Sequence, residues 1–341
     1  MATKICDSKF PSGDLGVKAL NALLGELTLH KYSHACPTPE TQELTMRKRK
    51  LASRRSGEPK LLAKTLHDIW AWSLPVAQET GTLELLKESG CLVPQDGDSQ
   101  TLVPAIRVSN LYPKPSGPNY YIHSPWPTTE VDAVFFGPDS YRYTRYLRSL
   151  TKRMPGCKIA IDMCTGAGVG AIHLAREFPD AEIFGLDINP KALYLAHVNA
   201  AHLCPDLEPR QLQMLYSDAY SAVEEHLAGR VDVITIDPPF IADDNRTYAQ
   251  GGWLGIEFTL DMLRKSRPML RSGGEAWLHM AAPITYDGRD ILREELEKLE
   301  GWELSEYEVI DVDIFGNEME NPNTYPGIGN IASIGFVLKK N

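Results

Sequence analysis

Apolar residues recur at helical spacing near the start of the chain. Leu15, Ala19, Leu20, Leu23, Leu24 and Leu27 step by three and four, which places one stripe on one helical face. The pattern returns between Leu61 and Leu74, and Thr82 to Glu88 predicts a further short helix. Thr101 to Val108 is short and apolar-rich and predicts a strand. From about residue 130 the rhythm alternates. Lys158 to Asp162, Glu182 to Asp187, Gln213 to Tyr216, Val231 to Ile236, Glu275 to Met280, Glu303 to Ile310 and Ile331 to Leu338 read as strands. Helices are predicted after the glycine loop as far as Phe178, and over Pro190 to Leu203, Ala222 to Leu227, Phe258 to Leu270 and Asp290 to Leu299.

Strands alternating with helices imply an α/β fold: a doubly wound, mainly parallel, seven-stranded Rossmann-like sheet behind a mostly helical N-terminal cap. Between the two, Tyr112 to Pro127 carries Pro113, Pro115, Pro118, Pro125 and Pro127, which exclude a continuous helix. The expected division is therefore a cap with its stiff aromatic connector over residues 1–127 and a second domain over 128–341. In sheets of this kind ligands bind at the carboxyl ends of the strands, beside the point where strand order reverses.

The chain has 341 residues, enough for two domains with buried cores and no disulfides. Its six cysteines form no CxxC pair, so no zinc framework or other metal site is expected, and they read as reduced thiols of a cytoplasmic protein. No apolar signal core follows Met1, and no stretch is apolar enough to span a membrane. The net charge of −10 argues against a nucleic-acid partner.

Four strand ends carry the chemistry. The first ends at Asp162 and runs through Thr165, Gly166, Gly168 and Gly170, where glycines bend the backbone and admit a ligand; a turn for tight helix–strand packing is the alternative. The second ends at Asp187, followed by Ile188. An acid there can accept two ribose hydroxyls, or it can cap the helix that begins at Asn189-Pro190. The third leads to Asp218 and Ala219, where an acid can accept from an adenine amino group or again cap a helix. The fourth ends in Asp237-Pro238-Pro239-Phe240. Two prolines past a buried strand freeze the backbone, so Asp237 and the Pro238 carbonyl can hold the hydrogens of an acceptor nitrogen while Phe240 packs on it; the alternative is a rigid turn with a capping Asp.

Taken together, Asp162-x-x-Thr165-Gly166-Ala167-Gly168-x-Gly170-Ala171-Ile172, Gly185-Leu186-Asp187-Ile188-Asn189-Pro190 and Asp237-Pro238-Pro239-Phe240 resemble the class I S-adenosylmethionine-dependent methyltransferases. Within them the chain is similar to the branch with an (N/D)PP(Y/F) motif, which includes release-factor glutamine methyltransferases and adenine-N6 enzymes. The resemblance covers about residues 130–341. It implies S-adenosyl-L-methionine as cofactor, with Asp162, Gly166 and Gly168 around the methionine part, Asp187 at the ribose and Asp218 by the adenine, and with Thr165, Ile188, Ala219 and Asp237 also among the cofactor-binding residues. Asp237, Pro238 and Phe240 then face the acceptor as the catalytic set. The protein-glutamine enzymes have Asn where this chain has Asp237. A carboxylate only accepts hydrogen bonds, which suits a cationic amine better than an amide.

The expectation is N-methylation of a small-molecule acceptor, with Asp237 as any deprotonating group. The main rival is an alkyltransferase or cyclase that releases methylthioadenosine, similar to azetidine-2-carboxylate synthases and needing no acceptor. Protein or nucleic-acid methylation, a nicotinamide-dependent oxidoreductase and a non-catalytic nucleotide sensor stand behind these. Before the first strand, Asp139, Tyr141 and Tyr143, with Tyr121 upstream, are candidates for a lid over the cofactor, since aromatic faces attract a sulfonium; packing is the alternative. The basic run Arg47 to Lys50 with Arg54 and Arg55 is read as a solvated helix face rather than an anionic-ligand patch. Oligomeric state is not legible.

Overall fold

The computed structural model describes residues 14–29, 32, 34–38, 40–44, 74–75, 84, 87–88, 92–95, 98–111, 119–125, 128, 130–242, 249–314, 319 and 323–341. They fall into two compact units. The first lies within Met1–Thr129, Val134–Pro138 and His197–Pro205, the second within Glu130–Ala133, Asp139–Ala196 and Asp206–Asn341.

In the first unit the leucine stripe forms helix α1 (Asp14–Leu29), with Leu20, Leu23, Leu24 and Leu27 fully buried. Of the helix expected over residues 61–74 only Leu74 is described, and it lies in a strand; most of that over 82–88 and the basic run of residues 47–55 lie outside the described residues. Strands accompany the helix. β1 (Leu74–Pro75), β2 (Leu92–Gln95) and β3 (Asp98–Pro104) make a small antiparallel sheet, and β4 (Arg107–Asn110) pairs with β5 (Tyr120–His123). The single strand expected over 101–108 is thus two, interrupted at 105–106. Part of the proline-rich connector is itself a strand, β5, where Tyr120 to His123 are free of proline.

The second unit is the seven-stranded sheet that the alternation implied. Its strands are β6 (Ile159–Met163), β7 (Glu182–Asp187), β8 (Leu212–Tyr216), β9 (Val231–Ile236), β10 (Leu270–Thr285), β11 (Trp302–Asp311) and β12 (Ile328–Lys340), in the order β11-β12-β10-β9-β6-β7-β8. β10, β9, β6, β7 and β8 are parallel, whereas β12 runs antiparallel between β10 and β11. The chain moves outward from β6 to β7 and β8, then restarts on the other side with β9, so the reversal of order lies between β6 and β9. Central strands buried on both faces need mainly apolar runs, and Ile159 to Met163 and Val231 to Ile236 supply them apart from Asp162, Asp232 and Thr235. Ile161, Met163, Ile234, Ile236, Leu278 and Met280 share one core with Leu260 and Leu263.

Helices α3 (Val169–Glu177), α4 (Pro190–Leu203), α5 (Glu224–Leu227), α6 (Glu257–Ser266) and α7 (Ile291–Leu296) fall between the strands as expected. Helix α2 (Pro138–Thr151) was not anticipated. Its sequence is rich in Arg and Tyr, yet Tyr143, Tyr146, Leu147 and Leu150 recur at helical spacing and are all buried.

Candidate active site

Asp162, one residue short of the β6 end, is buried and saturated with hydrogen bonds. Its Oδ1 accepts from the Tyr143 hydroxyl at 2.8 Å and the Thr235 hydroxyl at 2.7 Å. Its Oδ2 accepts from the Thr165 hydroxyl at 2.6 Å and the Ala171 backbone N–H at 2.8 Å. A carboxylate offers about four lone-pair sites, so protein donors fill this one. Burial pushes its pKa up, and these four donors pull it back down. The bonds shape the glycine loop. Gly168, at φ +84°, ends the loop in the left-handed region, and Ala171 on the first turn of α3 is tied to the carboxylate. Gly170 has no room for a side chain, because a Cβ there would fall on Asp162 Oδ1. Cys164 takes a positive φ of 58° without being glycine, strain that marks this loop.

Asp187 at the β7 end accepts from backbone N–H groups. Oδ2 accepts the Gly166 N–H at 2.9 Å and Oδ1 the Asn189 N–H at 2.8 Å, which leaves acceptor capacity on both oxygens. Burial raises its pKa against these backbone donors. The bond to Asn189 ties Asp187 to the start of α4, while the remaining acceptor capacity leaves room for hydroxyls. Next to it Ile188 exposes 59% of its surface, unusual for an isoleucine at a strand end. After β8, Ser217 donates to the Ala219 carbonyl at 2.6 Å and its N–H bonds the Asp187 carbonyl at 3.0 Å. This turn holds Ala219 at φ 48° and leaves Asp218 exposed.

At the β9 end the structure adds residues that the sequence reading missed. Parallel pairing sets Leu278 beside Ile236, so the next residues, Asp237 and His279, meet on one face of the sheet. Asp237 Oδ1 lies 3.1 Å from His279 Nδ1, and His279 Nε2 lies 2.9 Å from the Ser333 hydroxyl on β12. His279 is 1% exposed, while the Asp237 side chain is 24% exposed. Burial raises the Asp237 pKa, the His279 contact lowers it, and the negative Asp139 raises it again. Phe240 is buried with its ring edge-on to His279, centroids 6.3 Å apart. From α2, Arg142 clasps Asp139 at 2.9 Å and Asp311 on β11 at 2.8 Å.

The lid candidates separate. Tyr143 and Asp139 are buried parts of α2, engaged with Asp162 and Arg142. Tyr141 is half-buried on the same helix. Tyr121 belongs to the first unit, buried and stacked on Phe136 with centroids 5.6 Å apart. The carboxylates Asp162, Asp187 and Asp237 therefore line the carboxyl ends of β6, β7 and β9, the ligand-binding edge of an open α/β sheet. Among the described residues there is no cluster of His, Cys, Asp and Glu able to hold a metal, and no helix long and apolar enough to cross a membrane.

Residues 145–311 match the family model of the methyltransferase small domain. This part of the chain is similar to methyltransferase domains of the S-adenosylmethionine-dependent kind. It is 28% identical over 147 residues to a release factor glutamine methyltransferase of Koribacter versatilis (strain Ellin345), covering 39% of this chain and 50% of that protein. It is 38% identical over 131 residues to the release factor glutamine methyltransferase of Escherichia coli (strain K12), covering 35% and 44%. A ribosomal protein uL3 glutamine methyltransferase of Neisseria gonorrhoeae (strain ATCC 700825 / FA 1090) is 35% identical over 82 residues, covering 24% and 25%. The chain spans half or less of the length of these relatives.

These relatives, by their names, act on glutamine in proteins. They overturn the expected small-molecule acceptor, and with it the rival without an acceptor. The error has a physical origin. Net charge says nothing about the choice between a protein and a metabolite, and the acceptor-only carboxylate of Asp237 was given too much weight. The donor set fits the cofactor. Asp187 keeps acceptor capacity for hydroxyls, and a Cβ on Gly166 would meet nothing closer than the Cys164 carbonyl at 3.9 Å, so the loop is open on that side.

Proposed function

We propose that this chain is an S-adenosylmethionine-dependent N-methyltransferase of the (N/D)PP(Y/F) branch whose acceptor is a protein side-chain amide, glutamine in the first instance. The observation that carries the reading is Asp237. It sits on a diprolyl turn at the reversal of strand order, with Oδ1 held by His279 and with Oδ2 bonded to no protein group among the described residues.

S-adenosylmethionine supplies an electrophilic methyl group on a sulfonium. The chain supplies position. Asp187 takes the ribose hydroxyls, Ile188 gives the adenine an apolar face, and Asp218 and Ala219 close its edge. Thr165, Gly166 and Gly168 receive the methionine part, in a loop whose shape Asp162 fixes. A primary amide offers two hydrogens; Asp237 Oδ2 takes one and the Pro238 carbonyl the other, while Phe240 backs the plane of the group. Orientation of this kind supplies roughly 7–11 kcal/mol of a barrier. Relatives named for translation proteins support a cytoplasmic setting.

The test is incubation of the purified chain with methyl-labelled S-adenosylmethionine and a cell extract, followed by separation of proteins from small molecules. The expected result is label on a glutamine side-chain nitrogen and S-adenosylhomocysteine in equal amount. Label confined to small molecules, or methylthioadenosine formed from S-adenosylmethionine alone, would overturn the reading.

A further inference from the structure

His279 is a polar residue in a place built for apolar ones. It lies inside β10 in the run Trp277-Leu278-His279-Met280-Ala281, all of it buried. Burying an imidazole is unfavourable unless both nitrogens find partners, and here both do. Nδ1 meets Asp237 at 3.1 Å and Nε2 meets Ser333 at 2.9 Å. Ser333 is itself fully buried, and pairing of Ala281 with Ser333 brings it within reach of His279. A carboxylate cannot donate, so Nδ1 carries the hydrogen; with one hydrogen on the ring, Nε2 accepts the Ser333 hydroxyl. The chain from Ser333 through His279 to Asp237 therefore has a direction, and it ends on Oδ1.

We propose that His279, oriented by Ser333, is the positioning residue for Asp237. It fixes Oδ1, keeps the carboxylate ionised and leaves Oδ2 as the proton acceptor of the reaction. In the methyl transfer proposed above, the nitrogen–methyl bond forms and the methyl–sulfur bond breaks. The proton that the nitrogen then sheds passes to Asp237 Oδ2. An amide side chain in place of Asp237 could align the nitrogen but could not take that proton.

The charge of Asp237 is set among neighbours on three elements. Asp139 on α2 disfavours a second negative charge nearby, and Arg142 spends its charge on Asp139 and Asp311; Tyr143 on α2 and Cys164 after β6, whose ionisation burial and Asp237 oppose, stay neutral and add no charge. His279 on β10 is the donor that opposes Asp139. Removing it moves the Asp237 titration to higher pH.

The test rests partly on the proposed function, so its first measurement does not use activity. The carboxyl carbon of Asp237 is titrated by NMR in the full-length chain without cofactor, in the wild type and in His279→Leu and His279→Asn. Asn keeps an N–H donor near the position of Nδ1, and Leu keeps only the volume. The expected result is a midpoint about one pH unit higher in His279→Leu and close to wild type in His279→Asn. If His279→Leu does not fold, Ser333→Ala carries the test, with a smaller upward move and a loosened His279 ring in its nitrogen spectrum. An Asp237 midpoint unchanged in His279→Leu, or in Ser333→Ala where that variant replaces it, overturns the proposal. The second measurement is the acid limb of methylation, which follows the same order of variants. A moved midpoint with no methyl acceptor found in any fraction would leave the positioning role standing and sink the proposed function instead.

Discussion

Two carboxylates stand at neighbouring strand ends and are bonded in opposite ways. Asp162, near the end of β6, accepts four hydrogen bonds from three elements and the loop between them. Asp237, just past β9, accepts one among the described residues, from a histidine that is itself held from behind. Both are acids in the same sheet, and burial raises the pKa of both. What separates them is the number of lone pairs left over. A saturated carboxylate organises protein, whereas one with an open oxygen can take a ligand or a proton. The resemblance to methyltransferases named both as site residues; the geometry separates a saturated carboxylate from one with an open oxygen.

The comparison breaks most sharply at Asp162. Asp162→Ala orphans three hydroxyls and a backbone N–H at once, and each buried unpaired donor costs about 1–3 kcal/mol, so a loss of at least roughly 3 kcal/mol is expected. Urea unfolding measures it, and a loss under about 1 kcal/mol would remove Asp162 from the role of scaffold. Asp237→Asn is the mirror experiment. Shape is kept, so stability should change little, while turnover falls by about a hundredfold, the lower range for a lost general base. Wild-type turnover should also fall as pH drops through the Asp237 pKa. Because that pKa is raised, the fall begins above the ordinary carboxylate range, and a pH profile locates it.

Smaller changes sharpen the contrast. Gly170→Ala drives a methyl group against Asp162 Oδ1, and overpacking of this kind costs about 1–3 kcal/mol. Thermal unfolding should show it, together with weaker S-adenosylmethionine binding by calorimetry as the loop shifts. Tyr143→Phe removes one of the four donors to Asp162 and leaves the rest; the expected loss is about 1 kcal/mol, with methyl transfer retained. Abolished turnover in a stable Tyr143→Phe would show that Tyr143 touches the ligand rather than the scaffold.

Much of this was legible because it is local. The seven strands, the glycine loop and the acids that end β6, β7 and β9 are written in short contiguous patterns. His279 and Ser333 were not. They stand 42 and 54 residues from their partners, and only the placement of β10 between β9 and β12 brings them together. The visible signal was a single histidine inside an apolar run. Helix α2 was missed for a different reason: tyrosines provide half of its buried stripe, and arginines between them disguise the spacing. The acceptor was misjudged because one carboxylate was asked to identify a substrate, when a carboxylate specifies only that something must donate to it.

The antiparallel entry of β12 between β10 and β11 has a consequence for the order of folding. Ser333 lies on the last strand of the sheet, and that strand pairs along most of its length with β10, more than forty residues earlier in the chain. Such non-local pairing is slow to form, because the loop must close before contacts repay it. The half of the sheet built from β6, the glycine loop, β7 and β8 is contiguous in sequence, so the cofactor's loop and Asp187 can form before the finished sheet. The relay behind Asp237 cannot. During refolding, affinity for S-adenosylmethionine should return before methyl transfer does, and the lag between them times the insertion of one strand.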